Sequence, residues 1–289
     1  MSAKMVMINA HTQLCGILGY PVEHSLSPAI HNAAFQALNL NYVYLAFPVE
    51  DIASALQGLR ALGNVRGMSV TIPHKVTALS HVDRLDPTAK RIGAINTIVK
   101  TEGTFDGYNT DASGALRALE NAGVGLQGKH VVLLGSGGAA RAIAFGLVMN
   151  AHLGALTILG IDEVERGVLV RDVQGETALP IKEGPLSPEM LAQVLPQAHL
   201  LIHCTPVGMY PRVDESCVPE AMLTPCLTVM DIVYNPARTR LLQEAHRAGC
   251  QTISGIEMFL YQAVTQFELW TGHPAPVEVM RQVVESQLT

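Results

Sequence analysis

The sequence predicts an α/β protein of two domains, and three observations support this fold class. Its 289 residues are enough for two hydrophobic cores of ordinary size. Segments with strand and helix patterns alternate along the chain, which is typical of parallel sheets. Residues 130–144 have the pattern of a buried strand, a glycine-rich turn and a helix. Because 129 residues precede this unit, we expect a separate domain in front of it.

The composition indicates a soluble globular protein. Hydrophobic residues make up 48% of the chain and charged residues 15%, but no apolar run approaches the roughly 20 residues of a membrane helix. The net charge of −6, without a lysine or arginine cluster, argues against nucleic acid as the main partner. We therefore expect neither a membrane nor a nucleic-acid partner.

The cysteines and histidines give no metal or disulfide signal. The five cysteines are scattered and lack C-x-x-C spacing, so neither a disulfide framework nor a zinc site is expected. The eleven histidines show no ligand spacing such as H-E-x-x-H. Since the N-terminus has no signal-like segment, we expect a cytoplasmic protein.

The first predicted elements are a strand at 14–19 and a helix at 29–38. Ser27 precedes Pro28, which predicts an N-cap followed by proline at the first helical position. This structural role does not account for Ser25. Two hydroxyl groups at i and i+2 beside a helix N-terminus would also suit an anion such as a carboxylate.

Two further strands and helices follow before residue 83. Residues 41–48 are predicted to form a strand and 49–62 a helix, then 67–72 a short strand that ends at a proline, and 76–82 another helix. Lys75 lies just beyond this proline turn. An isolated lysine is most often a solvated surface charge, which is the alternative to a functional role.

Polar residues lie at the ends of the next short strands. Residues 89–96 lead into a predicted strand at 97–100, and Asn96, Asn109 and Asp111 lie at strand ends. Open α/β sheets place ligand-binding groups at such positions, although Asn and Asp are also common turn residues.

The glycine-rich turn predicts a nucleotide-binding βαβ unit. Val131–Leu134 form the strand, Gly135, Ser136, Gly137 and Gly138 the turn, and Ala139 begins the helix. Glycines allow a tight turn and let phosphate groups reach the first N–H groups of the helix. The pattern is G-x-G-G-A-A instead of G-x-G-x-x-G, and simple strand–helix packing is the alternative.

The next strand, 157–159, ends where a Rossmann unit binds the adenosine ribose. Asp162 lies there, and its alternative role is to cap a helix that begins at residue 163. Beyond it we expect a short hairpin or irregular segment at 170–185, a helix at 187–195, strands at 198–203 and 228–233, and an amphipathic helix at 258–270 that returns to the first domain.

Several ordered motifs give the chain a family resemblance. They are S-L-S-P at 25–28, V-T-I-P-H-K at 70–75, I-G-A-I-N-T at 92–97, G-Y-N-T-D at 107–111, G-S-G-G-A-A-R-A at 135–142, C-T-P-V-G-M at 204–209 and D-I-V-Y-N-P at 231–236. Over essentially its full length the chain resembles the shikimate dehydrogenase family, including its quinate-using members.

The resemblance implies a substrate-binding α/β domain of residues 1–110 and 256–289 and a Rossmann-type dinucleotide-binding domain of residues 111–255. It implies that Lys75 and Asp111 are catalytic. The substrate-binding residues would be Ser25 and Ser27, which bind the carboxylate, with Thr71, Asn96, Tyr234 and Gln262. The cofactor-binding residues would be Gly135, Ser136, Gly137, Gly138, Ala139, Asp162, Thr205, Met209 and Gly255. Core filling is the alternative role of Met209.

Three positions depart from the family pattern. Ser69 and His203 lie where the family commonly has Asn, and Ile161 lies where NADP-using relatives typically carry an arginine. Without that arginine, and with Asp162 next to it, we expect NAD, with NADP possible, because a carboxylate repels a 2′-phosphate. An alignment slip would instead put Glu163 or Arg166 at this position.

The expected activity is reversible hydride transfer between a nicotinamide cofactor and shikimate or quinate. A side chain must take the hydroxyl proton, and Lys75 and Asp111 are the candidates. The partner would be a cyclic polyol carboxylic acid, and the protein a monomer or homodimer. One alternative is a non-catalytic sensor of the acid and nucleotide. Another is a folate-linked two-domain dehydrogenase, which does not explain the serine pair.

Overall fold

The computed structural model describes residues 8–288. It divides into two compact units. The N-terminal unit comprises the chain up to Thr110 together with the segment from Gln262 onward, and the central unit is Asp111–Tyr261. Within the described ranges, no helix is both long and apolar enough to span a membrane.

Strands and helices alternate along most of the described residues. The strands are β1 Gln13–Gly19, β2 Tyr42–Pro48, β3 Val65–Val70, β4 Arg84–Leu85, β5 Thr97–Thr101, β6 Thr104–Tyr108, β7 His130–Leu134, β8 Ala155–Gly160, β9 Ile181–Pro185, β10 Leu200–His203, β11 Thr228–Asp231 and β12 Gln251–Ser254. The helices are α1 Ser27–Ala37, α2 Ile52–Ala61, α3 Pro87–Ile92, α4 Asp111–Asn121, α5 Gly138–Asn150, α6 Glu163–Gln174, α7 Pro188–Val194, α8 Arg240–Arg247, α9 Gly255–Thr271 and α10 Val277–Leu288.

The N-terminal unit contains a mixed sheet in the order β2-β1-β3-β5-β6-β4. β1 pairs in parallel with β2 and β3, whereas β3–β5 and β5–β6 are antiparallel. The alternation of elements predicted a parallel sheet, and this part of the unit differs from it. The two residues between β5 and β6 are too few for a parallel crossover, so this pair can only be a hairpin. Residues 77–81, expected to be helical, form a 3₁₀ turn.

An aromatic cluster fills one side of this sheet and includes the returning helix α9. His31 of α1 stacks on Tyr44 of β2, with ring centroids 4.6 Å apart, and Phe267 and Trp270 of α9 lie beside it. The Trp270 indole N–H donates to the Ile98 carbonyl of β5 over 3.0 Å. The last turns of α9 are therefore part of the N-terminal core.

The central unit has a fully parallel sheet in the order β12-β11-β10-β7-β8-β9. Taken from β7, this is the 3-2-1-4-5-6 order of a dinucleotide-binding Rossmann sheet. The order reverses between β7 and β10, and ligands of such sheets bind outside the carboxyl ends of the strands at that point. The predicted α/β fold class with a Rossmann-type sheet is confirmed.

The interpretation of 170–185 as a hairpin or irregular segment was wrong. Its first part is the second half of α6, whose Leu169 and Val173 are buried, and its last part is the edge strand β9. The charged, weakly periodic pattern of α6 hid the helix. β9 has few apolar residues and ends at Pro185, as an edge strand can.

Candidate active site

The serine pair lies at the start of α1. Ser25 Oγ accepts the backbone N–H of Ser27 over 3.2 Å. The prediction that Ser27 is the N-cap was wrong: Leu26 occupies that position, without a side-chain cap, and Ser27 is the first helical residue. Because the Ser25 hydroxyl reaches the Ser27 amide, the helix begins one residue earlier. Both hydroxyl groups lie beside this helix N-terminus.

A series of buried hydrogen bonds connects β2, β3 and α9 near the carboxyl end of β3. The Tyr44 hydroxyl donates to Ser69 Oγ over 2.7 Å, and Ser69 Oγ donates to Gln266 Oε1 over 2.9 Å. Gln266 Nε2 donates to Thr97 Oγ1 and to the Asn96 carbonyl, over 2.9 and 3.2 Å. Ser69, at a position where the family commonly has Asn, thus joins β2 to the returning helix. Sequence reasoning missed Gln266, although it follows Gln262 by one helical turn.

The candidate residues at 71–75 and 96 lie at the same edge of this sheet. The Val70 N–H donates to the Asn96 carbonyl, and the Ile95 N–H to the Lys75 carbonyl, each over 2.8 Å. Thr71 follows β3 directly, and its N–H donates to the Leu18 carbonyl of β1. Lys75 is half-buried, so it is not the fully solvated lysine of the alternative interpretation.

The side chains of Asn96 and Asn109 build the turn that precedes Asp111. Asn96 Oδ1 accepts the Thr110 N–H over 2.8 Å, and Asn109 Nδ2 donates to the Ala94 carbonyl over 3.0 Å. Both side chains therefore have the turn-forming role that sequence reasoning left open. Asp111 is buried and begins α4, the first element of the central unit.

The glycine turn after β7 has the features of a phosphate site. Gly135 has φ of +110°, and a Cβ there would lie 2.9 Å from the Cys204 carbonyl oxygen, so only glycine fits. Gly137 is the N-cap of α5, with no side-chain cap, and a Cβ on it would meet nothing within 4 Å. The position of a side chain at Gly137 is thus open at the start of a 13-residue helix, an arrangement that fits a dinucleotide pyrophosphate.

The turn between β8 and α6 carries two carboxylates. Asp162 caps α6, with its side chain accepting the Glu165 N–H over 2.8 Å. Glu165 Oε2 accepts the Ser136 hydroxyl of the glycine turn over 2.7 Å. Ile161 is 88% exposed. Arg166 is buried and donates to the Gly160 carbonyl and to Glu183, over 2.9 and 3.1 Å.

Sequence reasoning missed Glu165, and a signal for it was present. Asp and Glu at 162 and 165 have the spacing of a capping box, in which the second side chain turns back toward the start of the helix. Here Glu165 accepts a hydrogen bond from Ser136. Its carboxylate is therefore part of the rim of the glycine turn.

His203 ends β10 in a buried network. Its Nδ1 lies 2.8 Å from Asp231 Oδ1, and Nε2 hydrogen bonds with Thr205 Oγ1. The Thr239 hydroxyl donates to Asp231 Oδ2 over 2.6 Å. Burial alone would lower the pKa of His203, but the hydrogen bond and charge of Asp231, with a smaller contribution from Cys217, raise this pKa to about 10.

The remaining predicted residues of the central unit occupy strand ends and helix starts. Tyr234 follows β11 and stacks on Phe259, with centroids 4.5 Å apart, and burial raises the pKa of its hydroxyl. Met209 is 46% exposed, which excludes the core-filling alternative. Gly255 begins α9, where a Cβ would lie 2.4 Å from the Ile232 carbonyl oxygen.

Two family models match separate parts of the chain. The model described as "Shikimate dehydrogenase substrate binding domain" matches residues 17–98. The model described as "Shikimate 5'-dehydrogenase C-terminal domain" matches residues 255–285.

Relatives of this protein match nearly the whole chain. Shikimate dehydrogenase (NADP(+)) of Moorella thermoacetica is 46% identical over 287 residues, covering 98% of this chain and 96% of the relative. A crystal structure of a shikimate dehydrogenase in complex with NADP⁺ superposes with a TM-score of 0.91 at 38% identity, covering 98% of each chain. The Listeria monocytogenes shikimate 5-dehydrogenase in complex with shikimate and NAD gives 0.89 at 37% identity, covering 96% of this chain and 98% of that one. By identity and coverage alike, the chain belongs to the shikimate dehydrogenase family.

Proposed function

We propose that this protein catalyses the reversible oxidation of shikimate to 3-dehydroshikimate, with NAD as the hydride acceptor. The observation that carries the proposed activity is the 46% identity, over nearly the whole chain, to a relative named Shikimate dehydrogenase (NADP(+)); the choice of NAD rests on the turn after β8 alone. In this proposal residues 1–110 and 256–289 bind the substrate and 111–255 bind the cofactor. The division of the structure at Thr110 and at Tyr261 supports these roles.

The substrate carboxylate would bind at the serine pair. Ser25 and Ser27 offer hydroxyl groups beside the N-terminus of α1, where the helix dipole favours an anion. The ring hydroxyls would be bound by Thr71, Asn96, Tyr234 and Gln262.

The chemical step separates one alcohol into a hydride and a proton. A nicotinamide bound to the central unit would supply the hydride acceptor, and the O–H proton of the alcohol must leave as the hydride leaves its carbon. We assign that proton to the amine of Lys75, with the Asp111 carboxylate accepting a hydrogen bond from a neighbouring ring hydroxyl and so orienting the ring. In the reverse reaction the Lys75 ammonium returns the proton to the carbonyl oxygen.

The cofactor would be held by the glycine turn and the loops beside it. Gly135, Ser136, Gly137, Gly138 and Ala139 would bind the pyrophosphate, with Asp162, Thr205, Met209 and Gly255 around the rest of the dinucleotide. Support comes from the uncapped N-terminus of α5 and the open space at Gly137.

The preference for NAD rests on the turn after β8. Two carboxylates, Asp162 and Glu165, are fixed there by hydrogen bonds, and exposed Ile161 replaces the arginine of NADP-using relatives. The guanidinium of Arg166 donates its hydrogen bonds to the Gly160 carbonyl and to Glu183. A 2′-phosphate would meet negative charge at this turn, whereas a ribose 2′-hydroxyl can donate to a carboxylate.

A combined turnover and binding experiment tests the activity against the sensor alternative. Purified protein is given NAD or NADP with shikimate or with quinate, and the formation of NADH or NADPH is followed. Calorimetry measures the binding of each acid separately. The proposal expects turnover with shikimate. Binding of shikimate without NADH or NADPH formation would support the sensor, and turnover with quinate alone would replace the proposed substrate.

Variants of the β8–α6 turn test the cofactor preference. Glu165→Gln keeps a hydrogen-bonding group beside Ser136 and removes one charge, and Ile161→Arg restores a cation. Both should raise kcat/KM with NADP relative to NAD, by about threefold to tenfold each if one screened charge interaction is changed. The matched control is Glu102→Gln, an exposed charge in the β5–β6 turn. An unchanged ratio in both variants would contradict the assignment of this turn.

A further inference from the structure

A buried charged network links the loops that follow β10 and β11, and it suggests a role for His203. We propose that His203 is held as an imidazolium between Asp231 and Thr205, and that it thereby presents the Thr205 hydroxyl as a hydrogen-bond donor to the dinucleotide. This inference rests on the proposed function in one respect only, that the central unit binds a nicotinamide dinucleotide.

The burial of Asp231 favours a positively charged partner beside its carboxylate. Asp231 is 0% exposed and His203 1%, and an unpaired carboxylate at such a depth is strongly unfavourable. Asp231 accepts neutral hydrogen bonds from the Val233 N–H and the Thr239 hydroxyl, over 3.0 and 2.6 Å. His203 lies 2.8 Å from Oδ1 and supplies the cation when it is protonated, and the Cys217 side chain, which also hydrogen bonds with His203, favours the protonated form.

The charge of His203 decides which way the Thr205 proton points. Thr205 Oγ1 already accepts the Val207 N–H over 3.3 Å, and a hydroxyl oxygen has two acceptor sites. If His203 is an imidazolium, Nε2–H donates to the second site, and the Thr205 O–H is directed away from the network. If His203 is neutral with its proton on Nδ1, Nε2 instead accepts a hydrogen bond from the Thr205 hydroxyl, whose O–H then points into the network.

The position of Thr205 fits a ligand contact. Thr205 is half-buried in the loop that directly follows β10, beside the reversal of strand order between β7 and β10. A Cβ on Gly135 would lie 3.3 Å from the Thr205 methyl group, so Thr205 adjoins the glycine turn. The ligand atoms expected there are oxygen acceptors, either of the pyrophosphate or of the nicotinamide ribose.

The two residues therefore have different roles. Thr205 contacts the cofactor, and His203 is a positioning residue that acts through Thr205. An asparagine at 203, the common family residue, would be neutral. With its amide nitrogen donating to Asp231, its oxygen would accept the Thr205 proton.

The charge state can be measured without any variant. Nitrogen NMR of ¹⁵N-histidine-labelled protein distinguishes an imidazolium from either neutral tautomer. We expect one of the eleven histidines to keep both ring nitrogens protonated at pH 8, and its signal to be missing in His203→Asn. If no imidazolium signal persists at pH 8, the inference is wrong.

A double-mutant cycle tests the coupling to the cofactor. NADH binding is measured by fluorescence in the absence of shikimate for Thr205→Val, His203→Asn and the double variant. Thr205→Val should weaken binding about fivefold to tenfold, as expected for loss of one hydrogen bond. His203→Asn should weaken it similarly, and the double variant should be no weaker than either, because both changes remove the same donor. Thr205→Ser should restore binding.

Other outcomes separate this inference from the proposed function. Thr224→Val, an exposed threonine of the central unit, is the control and should bind NADH normally. Additive losses, or unchanged binding by Thr205→Val, would overturn the inference even if shikimate is oxidised. NADH binding with the expected cycle but no shikimate turnover would support the inference and contradict the proposed activity. If wild-type protein binds neither NADH nor NADPH, both are wrong.

Discussion

Lys75 is half-buried in the segment between β3 and β5, and its carbonyl is held by the Ile95 N–H. Replacing it with alanine should leave this backbone hydrogen bond intact while removing the proposed proton acceptor. We expect Lys75→Ala to lower kcat by about 10²–10⁴-fold, the usual contribution of a general acid–base. Steady-state oxidation of shikimate with saturating NAD measures this loss.

Lys90→Ala is the matched control, because Lys90 is an exposed lysine at the end of α3 in the same unit. It should retain wild-type kcat. Shikimate binding by Lys75→Ala, followed by calorimetry, should persist. If Lys75→Ala oxidises shikimate with the wild-type kcat, Lys75 is not the proton acceptor.

His31 has no exposed surface in the aromatic cluster around Tyr44, and burial lowers its pKa from 6.5 to about 3. Below pH 6.5 the unfolded chain binds a proton that the folded protein does not. This residue should therefore cost no stability above pH 6.5, and progressively more as the pH falls toward 3.

Urea unfolding of the wild type and His31→Phe at several pH values measures this effect. The stability of the wild type relative to the variant should fall between pH 6.5 and 4. His273→Asn, a change at an exposed histidine, corrects for general acid effects. A difference between wild type and His31→Phe that is independent of pH would contradict the assignment.

At the scale of elements, α9 packs closely against the sheet of the N-terminal unit. A Cβ on Gly67 of β3 would lie 2.1 Å from Trp270 Nε1, whose N–H donates to Ile98. Gly67→Ala should therefore destabilise the protein by about 1–3 kcal/mol through overpacking. Gly58, inside α2, has nothing within 4 Å of such a Cβ, so Gly58→Ala should be stabilising by about 0.5–1 kcal/mol.

Urea denaturation midpoints and slopes give both values. Opposite signs for the two glycine-to-alanine changes are the expected result. Equal effects would mean that the contact between Gly67 and Trp270 does not constrain α9.

The sequence predicted elements with a strong local signal. The buried run before Gly135 predicted β7, and the start of α5 followed from the glycines. The local signal was too weak to predict the second half of α6 and the strand β9. The exposed, charged surface of α6 and the edge position of β9 obscure their hydrophobic periodicity. The cap of α1 was placed one residue late, because either serine hydroxyl could reach the exposed amides.

The sequence predicted which residues belong to the candidate site, but not the hydrogen bonds that connect residues in and around it. Nothing in the local sequence pairs His203 with Asp231, 28 residues apart, or Ser69 with Gln266, 197 apart. Such pairs depend on the sheet order, which periodicity alone does not give. Family resemblance indicated that positions 69 and 203 were unusual, and the structure supplies their partners.

At the scale of the whole molecule, the N-terminal unit is discontinuous in sequence. Its core requires Phe267 and Trp270 from α9, and α1 packs against α10. We expect residues 111–261 expressed alone to fold and to bind NADH, and residues 1–110 alone to remain unfolded. Circular dichroism and urea unfolding of the two fragments test this. Cooperative unfolding of residues 1–110 would contradict the discontinuous unit.

In the proposed function the chain oxidises shikimate and uses NAD in preference to NADP. The most direct measurement is kcat/KM of the wild-type protein for each cofactor, with shikimate saturating and reduced nicotinamide as the signal. We predict turnover with NAD and a value at least about tenfold lower with NADP, the effect of one unfavourable charge contact near the 2′-phosphate. A higher kcat/KM with NADP, or no turnover with either cofactor, would contradict the account.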